Sequence, residues 1–418
     1  MQTLRLPEQT WRIQDRLTLK YIRRAGYQKT YAMITFPIGG LHRHVIKDGK
    51  HVPIPAGAAH FLEHKCFEDD GAELTAVFAQ QGASVNAFTS PFQTSYLFET
   101  TEQVLANIKT LLKLVFFPNF TPEGVDNEKG IITEEWASSQ DNPFYTQYHT
   151  LLETLYEDHP FSTDIIGTKE SINAMDYDTL SMIHQAVYQP EHATLIISGD
   201  LDMAPIVNAL SGLDLFPQPS SVTPASIKGA KPPVIKAPTI SVDGDVYASY
   251  WLQGYRLDLT FDSPEARLKY YLALEIGCDM LFDQTSPWVE TMQDQGVIND
   301  SFDVDLTLYP EVALILISTQ VKDPEVTKQA VDAQFKNREG LTEARFEMQK
   351  KANIGSFIYG LDSLQGTVRN TAFYLMDGVT PYDLLDMQMT MTLEDVLDAL
   401  TQFHASYMKA DVILNPRA

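Results

Sequence analysis

The sequence predicts an α+β fold that one chain carries twice. Three observations lead there: a single proline-dense break, a Gln-Gly segment that recurs, and a common closing order of elements in the two halves. The chain has 418 residues, and at ~150 residues per domain that length fits two to three domains. Its 44% hydrophobic and 21% charged residues form an ordinary globular mix and exclude wholesale disorder. Thirty-one Lys+Arg against fifty-five Asp+Glu leave a formal charge of −24. With no basic block to override that charge, nucleic acid is excluded as a partner.

Phe216 to Pro238 carries six prolines among Ser, Thr and Lys. Such a stretch sustains neither helix nor central strand, so an extended connector is expected at 216–238. It separates a first domain, 1–215, from a second, 239–418. In the first, an apolar helical stretch precedes Gln81-Gly82-Ala83-Ser84-Val85-Asn86, and the strand-like Thr94–Phe98 follows. In the second, helical Ala266–Phe282 precedes Gln295-Gly296-Val297-Ile298-Asn299, and Val312–Ile317 follows. The two Gln-Gly pairs lie 214 residues apart. Each half then closes on a helix, Asp178–Tyr188 or Leu393–Phe403, and a short buried strand, Ala193–Ile197 or Val412–Leu414. Two homologous α+β domains follow.

Thr100-x-x-Gln103 reads as a capping box. It would open a helix whose stripe of Val104, Leu105, Ile108, Leu111, Leu112 and Val115 ends before Pro118. Another helix is expected after Pro122, carrying Glu128 and Glu135. Two cysteines, Cys66 and Cys278, form no disulfide framework and fit a reducing compartment. Residues Met1–Glu8 lack the apolar core of a signal peptide, and the longest aliphatic runs are strand-sized. A soluble, cytoplasmic protein without a membrane partner is expected.

The chemistry concentrates in Ala58-Ala59-His60-Phe61-Leu62-Glu63-His64-Lys65-Cys66-Phe67. On a helix, His60 and His64 lie ~40° apart and Glu63 ~60° to the other side, so all three share a face. Two imidazoles one turn apart can chelate Zn²⁺, and a carboxylate beside them can take a proton from the water the metal activates. The bland alternative, a surface helix with two solvated histidines, must arise by accident. Chance predicts only about 0.01–0.02 such H-x-x-E-H patterns in a chain of this composition. A catalytic zinc needs a third protein ligand. Glu128 and Glu135, seven residues apart, differ by ~20° around a helix, whereas Glu134 points ~100° away from Glu135. One of the aligned pair can bind metal while the other supports the site from behind, and spacing alone leaves the two roles open.

His42-x-His44 reads as a solvated pair. His149, His159, His184, His192 and His404 show no ligand spacing. Cys66 reads as a small buried apolar group.

These segments resemble the insulinase, pitrilysin and mitochondrial processing peptidase family of metallopeptidases. His60–His64 matches its inverted zinc motif, Gln81–Ser90 its substrate-strand segment, and Glu128–Glu135 the helix bearing its glutamate ligand. His159-Pro160 and Ile166-Gly167-Thr168 match a further signature. The resemblance implies Glu135 as third zinc ligand, Glu128 as its outer partner and Glu63 as general base. It implies a peptide substrate lying extended beside Asn86, Ala87 and Phe88. It also implies two domains, each an antiparallel sheet packed with helices, forming half of a clamshell. Short bacterial members complete the clamshell by dimerising, so a homodimer is expected, or a heterodimer with a related subunit lacking zinc ligands. Two other roles remain open: a non-proteolytic structural or peptide-binding subunit, and a maturation protease for one precursor peptide. In the second half the offset places Leu274, Gly277 and Cys278 at the motif positions, so no second zinc site is expected there. The family's Arg/Tyr pair has no clear counterpart, because Arg369 and Tyr374 stand five rather than seven apart. A partner chain is expected to supply it.

Overall fold

The computed structural model describes residues 5–69, 72–214, 216–225, 227, 238–310 and 312–417. Part of the expected connector (226 and 228–237) lies outside the described residues, as do Met1–Leu4 of the amino-terminal segment. The chain divides into two compact units. One is Met1–Ser138 with Thr163–Lys228 and Gly360–Met376, and the other is Ser139–Ser162 with Gly229–Tyr359 and Asp377–Ala418. This differs from a single cut at 216–238: residues 139–162 sit with the second unit and 360–376 with the first. Each exchanged segment contains a helix that covers an apolar sheet face.

The first unit is built on a six-stranded sheet. Its strands run, across the sheet, Glu8–Ile13, Leu17–Arg23, Thr194–Gly199, Thr30–Phe36, Thr94–Thr100 and Ala83–Thr89. All neighbours are antiparallel except Leu17–Arg23 with Thr194–Gly199. One face buries Phe61, Leu62, Ile108, Leu111, Leu180 and Ile183 from three helices. These are Ala58–Lys65, Val104–Phe116 and Tyr177–Val187. The other face, with Ile22, Tyr31, Met33, Leu97 and Ile196, is covered by Leu364, Val368 and Ala372. Those three recur every four residues along the exchanged helix Leu364–Leu375, forming a single stripe. Strand Thr30–Phe36 is therefore buried throughout instead of alternating.

The second unit repeats five of these strands in the same order. Across its sheet run Thr239–Gly244, Tyr407–Pro416, Ser249–Leu257, Val312–Val321 and Asp303–Tyr309. Thr239–Gly244 pairs parallel with Tyr407–Pro416, as Leu17–Arg23 does with Thr194–Gly199, and the other pairs are antiparallel. Both Gln-Gly segments end helices, Thr75–Gln80 and Pro287–Asp294. Gly82 (φ 71°) and Gly296 (φ 66°) take the left-handed conformation that stops a helix, which explains why glycine recurs at this point. A further repeat is visible in the hydrogen bonds. His184 Nε2 donates to the Val115 carbonyl (2.8 Å) and His404 Nε2 to that of Phe335 (2.7 Å), each across 69 residues of sequence. In both units a late helix thus satisfies a carbonyl in the last turn of an earlier one.

Two local expectations are corrected. Thr100 ends a strand and caps no helix: its hydroxyl donates to Gly82 O and Glu102 O, and the following helix begins after Gln103 without a side-chain cap. The strand pairing of Thr100 outcompetes the capping geometry. The connector's first part is also anchored, with Phe216, Val222 and Ala225 buried and Thr223–Pro224 paired with the strand His44–Lys47.

The exchanged helix Pro143–Leu155 lies close on the second sheet. Gln147 Nε2 donates to the carbonyls of Tyr250 (3.0 Å) and Val412 (2.9 Å). A Cβ at Gly254 would fall 2.5 Å from Cδ1 of Leu155 and 2.9 Å from Cδ2 of Leu151. Gly254→Val should therefore cost about 1–3 kcal/mol in urea denaturation and open 139–162 to proteolysis. An unchanged midpoint would contradict this close approach.

Candidate metal centre

Ala58–Lys65 is an eight-residue helix with Ala58, Ala59, Phe61 and Leu62 buried. That anchoring turns the opposite stripe, His60, Glu63 and His64, outward from the core. The imidazoles of His60 and His64 lie 4.7 Å apart between ring centres. Glu128 and Glu135 stand on the 19-residue helix Pro122–Gln140, held by buried Val125 and Ile132 on its other side.

Glu135 reaches both histidines: Oε1 lies 3.6 Å from His60 Nε2 and Oε2 lies 3.7 Å from His64 Nε2. One donor atom from each of the three falls within 4.8 Å of the others, the only such group of His, Cys, Asp or Glu among the described residues. Tetrahedral ligands at ~2.0–2.1 Å from a zinc ion stand roughly 3.3–3.4 Å apart, and each His–Glu separation, one to each oxygen of the carboxylate, is close to that spacing. The chemistry of the donors fits as well. Burial, with His64 beside it, pushes the pKa of His60 down to about 4, leaving a neutral imidazole at neutral pH. Its Nδ1 is buried without a hydrogen-bond partner among the described residues.

Glu128 stands behind this cluster. Its Oε1 accepts from His64 Nδ1 at 3.1 Å, which leaves the Nε2 lone pair of His64 directed toward Glu135. Burial alone would depress His64, but the hydrogen bond and charge of Glu128, with Glu63 and Glu135 near, raise it overall. Burial would likewise raise Glu128, yet His64 and Lys65 hold it below the usual carboxylate range.

Glu63 points elsewhere. Its Oε2 accepts a 2.6 Å hydrogen bond from the hydroxyl of Thr89, at the end of strand Ala83–Thr89. Burial raises its pKa and the Thr89 bond partly offsets that rise. A cleft of about 720 Å³ opens beside it, lined by Glu63, His64, Val85, Ala87, Glu128 and Ile131 among others.

Strand Ala83–Thr89 is the sheet edge next to this cleft and pairs only with Thr94–Thr100 among the described strands. Its residues divide between two faces. Val85 and Ala87 pack on the core side, and Thr89 reaches Glu63. Phe88 packs on the other face, where the Arg369 guanidinium lies 5.0 Å from its ring centre. Asn86 accepts the N–H of Ala87 at 2.8 Å through its own side chain. Arg369 also donates toward the Tyr31 hydroxyl (3.4 Å), whereas the Tyr374 ring meets Phe373 at 5.0 Å. Five residues apart, the two diverge by ~140° around their helix.

Other sequence expectations resolve simply. Cys66 is buried, its thiol pushed up to about 12 by desolvation. His42 and His44 form no pair: His42 accepts the Gly39 N–H (3.0 Å) and burial takes its pKa down to about 4, while His44 meets His51 with ring centres 5.8 Å apart. Thr89 was not legible as a partner of Glu63, because strand register rather than any motif brings it there.

Among described helices none is long and apolar enough to cross a membrane. The family described as Insulinase (Peptidase family M16) matches residues 52–169, which hold the cluster and the edge strand. An uncharacterized zinc protease of Bacillus subtilis, YmfH, is 30% identical over 383 residues, covering 90% of this chain and 89% of that protein. The crystal structure of a putative M16-like peptidase from Alicyclobacillus acidocaldarius superposes with a TM-score of 0.90 at 27% identity, covering 99% of each chain. A peptidase M16 inactive domain from Pseudomonas fluorescens shares the fold, with a TM-score of 0.76 at 17% identity, covering 99% of this chain and 98% of that one. Likeness to YmfH along nearly the full length of both chains means that this chain belongs to the insulinase (M16) peptidase family.

Proposed function

We propose that the chain is a zinc-dependent endopeptidase for peptides or unfolded protein segments. The observation that carries this reading is the convergence of His60, His64 and Glu135, with His64 and Glu63 lining a cleft beside a strand that is the sheet edge among the described strands. In this reading His60, His64 and Glu135 hold the metal and Glu128 orients His64. A bound zinc ion supplies a Lewis acid for the peptide carbonyl and acidifies water toward a pKa of ~7.

The chain's own residues do the rest. Glu63, ionised, takes the proton of the attacking water and hands it to the departing amine. Its raised pKa suits both halves of that task, and the Thr89 hydroxyl holds one of its oxygens in place. The peptide lies extended along Ala83–Thr89, adding a strand through backbone hydrogen bonds. Asn86, Ala87 and Phe88 contribute mainly through main-chain groups, since the side chains of Ala87 and Phe88 face opposite ways. Recognition of this kind reads extended shape more than sequence. A second chain of the same fold, identical or lacking zinc ligands, would complete the substrate chamber. A peptide-binding subunit without catalysis is the lesser reading, because a retired site need not keep Glu63 together with all three ligands.

Glu63→Gln should keep zinc and abolish cleavage of a fluorogenic peptide, and undiminished turnover would remove its role as base. Glu135→Gln should weaken zinc retention far more than Glu134→Gln in metal analysis after dialysis; the reverse ranking would reassign the ligand. Thr89→Val removes the bond that offsets burial, so the pKa of Glu63 should climb further. The base must be ionised, so the acidic limb of kcat/KM should move to higher pH. A limb that stays in place or moves to lower pH would contradict the contact's role.

A further inference from the structure

Lys65 follows His64 directly, yet its ammonium is buried, with the side chain 3% exposed. A buried ammonium persists only when its protons are all taken up. Here three acceptors meet three N–H donors: the Glu68 carboxylate, the Gly124 carbonyl at 3.1 Å and Glu128 Oε2 at 3.2 Å. Lys65 and Glu68 lie at and just beyond the end of the histidine helix. Gly124 and Glu128 belong to the helix that carries Glu135. The ammonium therefore ties together the two helices from which the three metal-binding side chains come.

Two details make this tie specific. Glu128 divides its carboxylate, giving Oε1 to His64 and Oε2 to Lys65, so its orientation is set from both sides. A Cβ at position 124 would fall 2.6 Å from Oε2 of Glu68, so a side chain there would push that carboxylate from its place beside Lys65. Glycine lets the Glu68 carboxylate lie against the first turn of the second helix. Glu135 stands eleven residues further on, ~16 Å along the axis, so a small pivot at the tie becomes a displacement at the ligand.

We propose that Lys65, held by Glu68 and seated through Gly124, is a positioning residue that sets the approach of Glu135 to His60 and His64 and so controls metal affinity. This rests on reading those three residues as the zinc-binding set. Lys65→Met, Glu68→Gln and Gly124→Ala test it as metal-free full-length proteins. Folding is checked by circular dichroism and melting, zinc affinity by competition with a chromophoric chelator, and ligand geometry by the visible spectrum of the Co²⁺-loaded form. Lys65→Met and Gly124→Ala should bind zinc about 10–100-fold more weakly and shift the cobalt spectrum, with a smaller loss in Glu68→Gln. A role in stability alone would lower melting while leaving affinity and spectrum of the folded protein unchanged. If Lys65→Met does not fold, the other two variants decide the matter. A parent that binds zinc, with folded variants within twofold of it and the same cobalt spectrum, overturns the positioning role. A parent that takes up no zinc overturns the ligand assignment and this proposal with it.

Discussion

The proposed metal site depends on a carboxylate from one helix standing close to two imidazoles on another, and the packing of the first unit brings the three together. Neither helix can do this alone. The short helix supplies His60 and His64 one turn apart, and that spacing is intrinsic to its geometry. Glu135 arrives from a helix separated from it in sequence by several strands and helices, so its approach depends on packing. Phe61 and Leu62 root the first helix in the core, Val125 and Ile132 root the second, and Lys65 joins them across a buried ion network. In a dry setting such a network is favourable only when every partner is present.

The histidines show how the same surroundings produce two electrostatic outcomes one turn apart. His60 is kept neutral by burial, whereas Glu128 reverses the effect of burial on His64. The bond that raises His64 also fixes its tautomer, so the price of a carboxylate behind the ring is repaid in orientation. Glu63 is kept apart by turning toward the strand, where Thr89 holds it. Glu63 and Glu128, on neighbouring helices, are thereby shifted in opposite directions by their surroundings.

Much of this was legible in the residues. The histidine helix, the aligned Glu128 and Glu135, and the recurrence of Gln-Gly all follow from spacing, and the two glycines prove to be helix stops with positive φ. The strand order of the two units extends the repeat that the Gln-Gly pairs suggested. Other features lay beyond local pattern. The helices Pro143–Leu155 and Leu364–Leu375 are amphipathic wherever they dock, so nothing in their own sequences says that each covers a sheet in the other half of the chain. Thr100 satisfies the residue types of a capping box yet serves a strand end, because sheet pairing claims it first. Lys65 looks like an ordinary charged residue at a helix end. Its burial becomes apparent only once the second helix is in place. The 69-residue spacing shared by His184 with Val115 and His404 with Phe335 was present in the sequence, but the hydrogen bond that gives it meaning was not.

X-ray absorption at the zinc edge of the loaded, full-length protein tests the central claim most directly. One zinc per chain, surrounded by two nitrogen and one protein oxygen ligand at about 2.0–2.2 Å with no sulfur near 2.3 Å, is the result expected from His60, His64 and Glu135. A sulfur shell, a single imidazole, or an ion retained equally well when both histidines are replaced would contradict it.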